Sequence, residues 1–293
     1  MSQVNRSHLA NLSLLFVAMM WGSTFLIVQH AVRVLPPLAF NGLRFLGAAV
    51  LLALIITMFY RHEWKQLSWK MLGHASLLGV FLFMGYAFQT VGLLYTTTSN
   101  AGFITGLSVI LVPFLSLILL KHPISRYTWI SAILAAIGLY LLAFAGSSIN
   151  INKGDLLIFL CAIAFALHLA YTAIFAPTYP ALLLSTLQMF IVGLLSTFSS
   201  LLFEDLGPIH QVADQLVQPE VLIALLISIG PTSAFAFWIQ TVCQKFTSPS
   251  RVAIIFATEP VFAAITGVLF GGEILGTLAG IGCICILTGM IIY

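Results

Sequence analysis

The sequence predicts an all-α, polytopic membrane protein, with ten transmembrane helices arranged as two inverted five-helix repeats. Three observations predict it. Of 293 residues, 61% are hydrophobic and only 6% are charged, whereas soluble chains carry about 25% charged residues. The apolar runs match the ~20 residues that a helix needs to cross a bilayer and exceed the ~10-residue alternating segments of a barrel. The polar phrase Gln89-Thr90-Val91 returns as Gln240-Thr241-Val242, and Thr96 and Ser99 return as Thr247 and Ser250.

Hydropathy and turn residues place the spans near 9–32, 36–59, 71–94, 99–120, 126–145, 155–176, 181–203, 221–243, 250–270 and 272–292. The first follows a short start containing Arg6, as a signal peptide would, but it continues past Trp21 toward Val32 and is one of many, so it reads as a retained span. Breaks fall at Pro36-Pro37, at the polar stretch Arg61 to Lys70, at Thr96 to Thr98, at His122-Pro123 and at Gly146 to Lys153; others follow at Pro177 to Pro180, at Glu204 to Glu220 and at Gly271-Gly272. Trp64 and Trp69 among bases suit the headgroup layer.

Orientation follows from the basic residues of the loops. With the N-terminus in the cytoplasm, Arg6, Arg61, Lys65, Lys70, Lys121, Arg126, Lys245 and Arg251 lie inside, and Arg33 and Lys153 lie outside. The expected location is therefore the cytoplasmic membrane, with both termini cytoplasmic.

An offset of 151 aligns 85–142 with 236–293 without a gap, and an offset of 144 pairs Trp21 with Phe165, Pro36 with Pro180, and Arg44 with Gln188. The two halves are expected at 1–148 and 149–293. Five spans is an odd number, so the second half enters the membrane from the opposite side, a plan that recurs in secondary transporters.

The chain also resembles the EamA branch of the drug/metabolite transporter superfamily. The residues that carry the resemblance are Trp21-Gly22-Ser23-Thr24-Phe25, Leu43-Arg44-Phe45, and Glu259-Pro260-Val261-Phe262 followed by Gly272-Glu273. It covers nearly the whole chain. It implies export or uptake of small metabolites, often amino acids or related solutes, through a cavity lined by the first, third, fourth, sixth, eighth and ninth spans. One departure is His122, where many relatives carry Glu, which leaves Glu273 without an acidic mate.

The candidate substrate-binding residues are Trp21, Thr24, Tyr86, Gln89, Asn100, Ser108, His168, Tyr171, Phe237, Trp238, Gln240 and Glu259. Ser23, Thr105, Thr232 and Ser233 are further polar groups on the expected lining spans. Glu259, the one acid placed deep in a span, could bind a proton or a substrate ammonium, or lock helices through a hydrogen bond or a pair with Arg44. Arg44 is expected to tie spans together more than to attract a carboxylate. Gln89 and Gln240 suit polar solutes, but interhelical bonding is the commoner use of a buried amide. His168 shares a helix face with Tyr171 and fits either a proton shuttle or a neutral hydrogen-bonded imidazole. Gly272, Gly276 and Gly280 form a small-residue ridge, expected to pack on the fifth span or to support a homodimer.

The four cysteines suggest neither a disulfide framework nor a metal site, and no cofactor is expected. The partners expected are a small-molecule substrate and the lipid bilayer, not nucleic acid. No Gly-x-x-x-x-Gly-Lys-Ser/Thr phosphate loop is present, so a carrier would run on gradients. A lipid or amphiphile flippase is the second reading. A channel lacks a filter-like loop. An intramembrane enzyme lacks any His-Glu-x-x-His, paired aspartates or Gly-x-Ser-x-Gly, so no catalytic residue is assigned.

Overall fold

Prolines and polar caps start the helices where the hydropathy breaks. The structure, a computed structural model, describes residues 3–293 except Thr97, 122–123, 145–151, Gly271 and Glu273. The expected repeat boundary at 148/149 and the comparison of His122 with Glu273 lie outside the described residues. Helix α1 spans Gln3–Val34, and α2, Pro37–Phe59, begins on a proline whose missing N–H costs nothing at that position. The Glu204 carboxylate accepts hydrogen bonds from the Leu38 and Ala39 N–H groups at 2.7 and 2.9 Å, capping α2. Ser68 caps α3, Trp69–Gly92, and Asn152 and Asp155 form a capping box on α7, Lys153–Phe175. Each cap supplies an acceptor for N–H groups that the helix itself leaves open.

The fourth, eighth and ninth spans are interrupted. The fourth consists of α4 (Thr98–Gly106) and α5 (Ser108–Leu120), and it is followed by α6 (Arg126–Phe144). After α8 (Ala181–Phe203) and the short surface helix α9 (Ile209–Leu216), the eighth span runs as α10 (Pro219–Ile229), a π-helical turn (Gly230–Phe235) and α11 (Ala236–Cys243). The ninth is α12 (Pro249–Phe256) and α13 (Glu259–Phe270), and the last helix is α14 (Thr277–Ile292). The fourth and ninth spans break at matching places, since Leu107 and Thr258 are related by the 151 offset. Both breaks show the same pattern. Leu107 N–H bonds Ile104 O and Ile110 N–H bonds Leu107 O; Thr258 N–H bonds Ile255 O and Val261 N–H bonds Thr258 O. Tight i→i+3 bonds of this kind mark a local departure from the α-helix.

Among the described residues, eight segments are long and apolar enough to span a bilayer, and α1, bent by 47° between Thr24 and Ile27, makes a ninth. The expected tenth span is shorter than its sequence suggested. Helix α14 has 16 residues, about 24 Å at 1.5 Å per residue. It starts late because Gly272 takes φ +68° and Gly276 is an extended cap.

The halves interlock in a reciprocal way. Helix α7, the first of the second half, packs on α3, α4 and α5, the third and fourth spans of the first half. Helix α1 packs on α10 to α13, the eighth and ninth spans. Helix α2 lies antiparallel to α8, with Gly42 against Thr197 and Gly193 against Leu46.

Helices α6 and α14 also lie antiparallel. A Cβ on Gly138 would fall 2.6 Å from the Gly282 carbonyl oxygen, and one on Gly289 would fall 2.8 Å from that of Ser131. Ser131 and Gly282 are repeat mates, as are Gly138 and Gly289, so the contact maps onto itself. The expected packing of the last span on the fifth is therefore present, but the ridge was misplaced. Gly272 and Gly276 precede the helix, and a Cβ on Gly272, Gly276 or Gly280 would meet nothing within 4 Å. Substituting Gly138→Leu or Gly282→Leu should destabilise the protein by about 1–3 kcal/mol through overpacking, while Gly280→Leu should leave thermal stability in detergent unchanged. Equal losses at all three positions would overturn this assignment.

Candidate functional site

The breaks and the interlocking helices converge on a layer of aromatic rings. Trp21 on α1 lies 5.3 Å from Phe237 on α11, and Phe165 on α7 lies 5.3 Å from Tyr86 on α3. The two pairs are repeat mates. Across the junction Tyr86 and Phe237 approach to 6.3 Å, Phe45 lies 4.9 Å from Tyr86, and Phe256 lies 4.9 Å from Trp21. Such edge and tilted geometries suit aromatic quadrupoles. The repeat therefore supplies a two-fold arrangement of rings between the halves.

Polar groups interrupt the layer. The Arg44 guanidinium stands 5.0 Å from the ring centroids of both Phe45 and Tyr86. Its Nε donates to Ser233 Oγ at 2.6 Å, and its Nη2 reaches Thr232 O at 3.4 Å. Trp21 Nε1 donates to the same Thr232 carbonyl at 2.8 Å. Arg44 thus joins the second and eighth spans. Glu259 opens α13 directly after the break in the ninth span, and Gly22 lets α1 come against it. A Cβ on Gly22 would lie 2.3 Å from the Glu259 carbonyl oxygen. Ser108, the repeat mate of Glu259, opens α5 in the same way.

The candidate residues separate into groups. Trp21, Tyr86, Phe237 and Glu259 share the central region. Gln89 sits one turn beyond Tyr86 and is partly exposed, as is Ser108. Thr24 turns its hydroxyl back onto Met20 O at 2.8 Å within its own helix. Trp238 packs edge-on to Phe235. Asn100 lies outside the ring layer, where its amide donates to Asp155 Oδ1 at 3.3 Å, beside the Thr96 hydroxyl bound to the same oxygen. Tyr171 stacks on Phe81 at 5.5 Å. His168 is 2% exposed and shares a 2.9 Å hydrogen bond with Gln188, a satisfied imidazole inside the bundle.

The two glutamines differ. Gln240 is 1% exposed and its amide donates to Gln244 Oε1 at 3.4 Å, while Gln244 Nε2 donates to Leu169 O at 2.9 Å. The mate of Gln244 is Leu93, so Gln89 has no such chain. Gln240 therefore lies inside packed helices, in the interhelical bonding expected of a buried amide, whereas Gln89 is partly exposed. Arg44, Phe45, Phe165 and Phe256 join the central region although they were not among the candidate binding residues. Phe165 had a signal in its alignment with Trp21, and Phe45 stood in the Leu43-Arg44-Phe45 motif; Phe256 had none beyond its apolar character.

The ends of the bundle carry a second repeated pair. At one face Thr96 bonds Asp155, and at the other Thr247 Oγ1 donates to Asn11 Oδ1 at 3.4 Å. Thr247 and Asn11 are the repeat mates of Thr96 and Asp155. At the Thr247 face Lys245 Nζ also donates to Tyr179 O at 2.9 Å, and Tyr179 OH bonds His74 Nδ1 at 2.9 Å. Partial burial pulls the Lys245 ammonium below the usual lysine range, and the Glu63 carboxylate opposes that shift.

Burial breaks the symmetry of the two faces. Toward the Thr247 face, Leu14, Val112, Leu169, Val252, Ala253 and Ile255 form one packed cluster from the first, fourth, sixth and ninth spans. Helix α12 packs there on α5 and α7. Among the described residues, α4 makes no comparable packing on α13 or α1 at the Thr96 face. Ala253 is 2% exposed, whereas a Cβ on its mate Gly102 would meet nothing within 4 Å. Thr90, Phe103 and Ile104 are partly uncovered, and their mates Thr241, Ile254 and Ile255 are buried.

Comparisons with known proteins agree with this architecture. The EamA-like transporter family matches residues 8–144 and again 152–293. An uncharacterized transporter of Archaeoglobus fulgidus is 32% identical over 287 residues, covering 97% of this chain and 85% of that protein. The uncharacterized transporter YetK of Bacillus subtilis is 28% identical over 92% of this chain and 82% of its own length. The uncharacterized inner membrane transporter YedA of Escherichia coli K12 is 26% identical over 88% and 81%. A solved crystal structure, 19% identical, superposes with a TM-score of 0.80 over 97% of this chain and 95% of the other, a likeness of fold. The chain is a multi-pass membrane protein, and it belongs to the EamA-like transporter family.

Proposed function

We propose that the chain is a secondary transporter that exports small polar metabolites, such as amino acids or related solutes, by alternating access to the aromatic region between its halves. The observation that carries the reading is the unequal burial of repeat mates. Two similar halves of opposite orientation can exchange conformations, so that one face opens as the other closes. The uncovered Gly102 and Gln89 against the packed Ala253 and Gln240 fit one such state, open at the Thr96 face and sealed at the Thr247 face. The basic residues favour a cytoplasmic Thr247 face and an external Thr96 face, with the chain in the cytoplasmic membrane and both termini inside. The state is then outward-facing.

Between the halves Glu259 is the coupling carboxylate, placed to hold a proton or a substrate ammonium group, since an acid inside a span is costly and its presence there marks a functional site. Tyr86, Gln89, Ser108, Trp21 and Phe237 present a few polar groups on an aromatic wall, the usual make-up of a small-molecule site. The division into halves falls near residue 148.

Three measurements test these points. In a background lacking Cys161, Cys243, Cys283 and Cys285, a membrane-impermeant maleimide should label Gly102→Cys from outside and leave Ala253→Cys unlabelled from inside. The reverse pattern would overturn the outward-facing state. In proteoliposomes, with a ligand found by thermal-shift screening, Glu259→Gln should abolish accumulation driven by a pH gradient; an unchanged pH dependence would exclude Glu259 as the coupling group. Gln240→Ala should lower thermal stability by about 1–3 kcal/mol, because it leaves buried partners unsatisfied. Gln89→Ala should leave stability alone and change the substrate KM. Wild-type transport by Gln89→Ala would remove that residue from the lining.

A further inference from the structure

The two halves differ at two places that touch each other. Arg44 has Gln188 as its repeat mate, and the π-helical turn Gly230–Phe235 has 79–84, part of the unbroken helix α3, as its own. In the second half Gln188 bonds His168. In the first half Arg44 instead reaches across to the π-helical turn, with Nε on Ser233 Oγ at 2.6 Å and Nη2 near Thr232 O, where the Trp21 indole also donates. Pro231 has no N–H to offer the Ile227 carbonyl, and Thr232 Oγ1 donates at 3.4 Å to that oxygen and to the Ser228 oxygen. In a bilayer no water stands by to satisfy freed backbone groups. Single π-helical turns inside α-helices recur at functional sites, and this one leads directly into Phe237 of the aromatic layer.

We propose that the π-helical turn is a hinge of the eighth span and that Arg44 is a positioning residue that latches it in the state open at the Thr96 face. The proposal rests on the alternating-access reading above. Exchange of the two halves would give the third span the surroundings of the eighth and Gln188 those of Arg44. That segment has Val80, Phe81 and Leu82 where the eighth span has Pro231, Thr232 and Ser233, and Gln188 carries no charge. The latch therefore has no counterpart in the opposite state, and a ligature present in only one state shifts the balance between the two.

The test uses the full chain in vesicles and the same cysteine pair, Gly102→Cys and Ala253→Cys, probed with impermeant maleimide from each side. Arg44→Lys keeps the charge but loses the planar fork that spans Ser233 and Thr232, and Ser233→Ala removes one acceptor. Each should lower the ratio of outside labelling at Gly102→Cys to inside labelling at Ala253→Cys, by about tenfold for Arg44→Lys, as expected for hydrogen bonds to a charged group. Unchanged ratios in both variants, with the unsubstituted background labelling as expected, would overturn the latch and leave the transporter reading intact. Reactivity of both cysteines from both sides would mean a loosened fold and would also overturn it. If Arg44→Lys does not accumulate, Ser233→Ala carries the test. If the background itself labels the wrong way round, the facing assignment fails. Hydrogen exchange of 227–238 then decides whether Arg44 holds the turn: faster exchange in Arg44→Lys supports the clamp, and unchanged exchange removes it.

Discussion

Every backbone N–H and C=O inside a bilayer must find a partner within the protein, and the rest of this structure depends on how three interrupted spans meet that demand. An unbroken helix meets it alone. The fourth and ninth spans keep backbone bonds across their breaks, from Leu107 N–H to Phe103 O and from Phe262 N–H to Thr258 O, while the eighth carries a π-helical turn on which neighbouring helices converge. The Thr232 carbonyl receives the Trp21 indole and the edge of the Arg44 guanidinium. The Glu259 carbonyl lies against Gly22, where no side chain could fit between the helices. The aromatic layer stands where it does because Trp21, Phe45 and Phe237 belong to helices held together at those points.

Duplication explains the arrangement, and departures from it supply the chemistry. Repeat mates account for the paired rings Trp21–Phe237 and Phe165–Tyr86, for the matching breaks at Leu107 and Thr258, and for the self-mapping contact of α6 with α14. The charges do not follow the duplication. Arg44 faces a neutral Gln188 in the alignment, and Glu259 a neutral Ser108. Arg44 and Glu259 are thus a positive and a negative group that the repeat does not duplicate, each on a single half. The same reasoning applies to the faces: Asp155 at one end is matched by Asn11 at the other, and each holds the threonine of the opposite linker.

Much of this was legible in the residues. Composition required a membrane protein, and the recurrence of Gln-Thr-Val, Thr and Ser revealed the duplication, because polar residues in an apolar background are costly and their coincidence is informative. The depth of Arg44 implied that it faces the bundle interior, and its reading as a tie between spans came from the resemblance, in which the second span does not line the cavity. The glycine ridge was misplaced because spacing of four residues says which residues share a face, not which face meets another helix. Gly282 and Gly289 make the contact, whereas Gly280 points into open space. The glutamines were read as equivalents because they share a motif. Their surroundings differ through Gln244, whose mate is Leu93, a substitution that carries meaning only once the helices are packed.

Composition and an offset were enough to establish the membrane environment, the helical class and the inverted pairing of the halves, since burial in lipid restricts a chain to few architectures and a repeat of odd span number inverts. Spacing along the chain also placed Glu259 and Arg44 deep in their spans. It could not separate Gln89 from Gln240, show the π-helical turn that Arg44 holds, or reveal which face is packed and which uncovered. Those properties belong to contacts between residues far apart in sequence. Two halves built on one pattern of spans can occupy different conformations at once, and only the packing of one against the other distinguishes them.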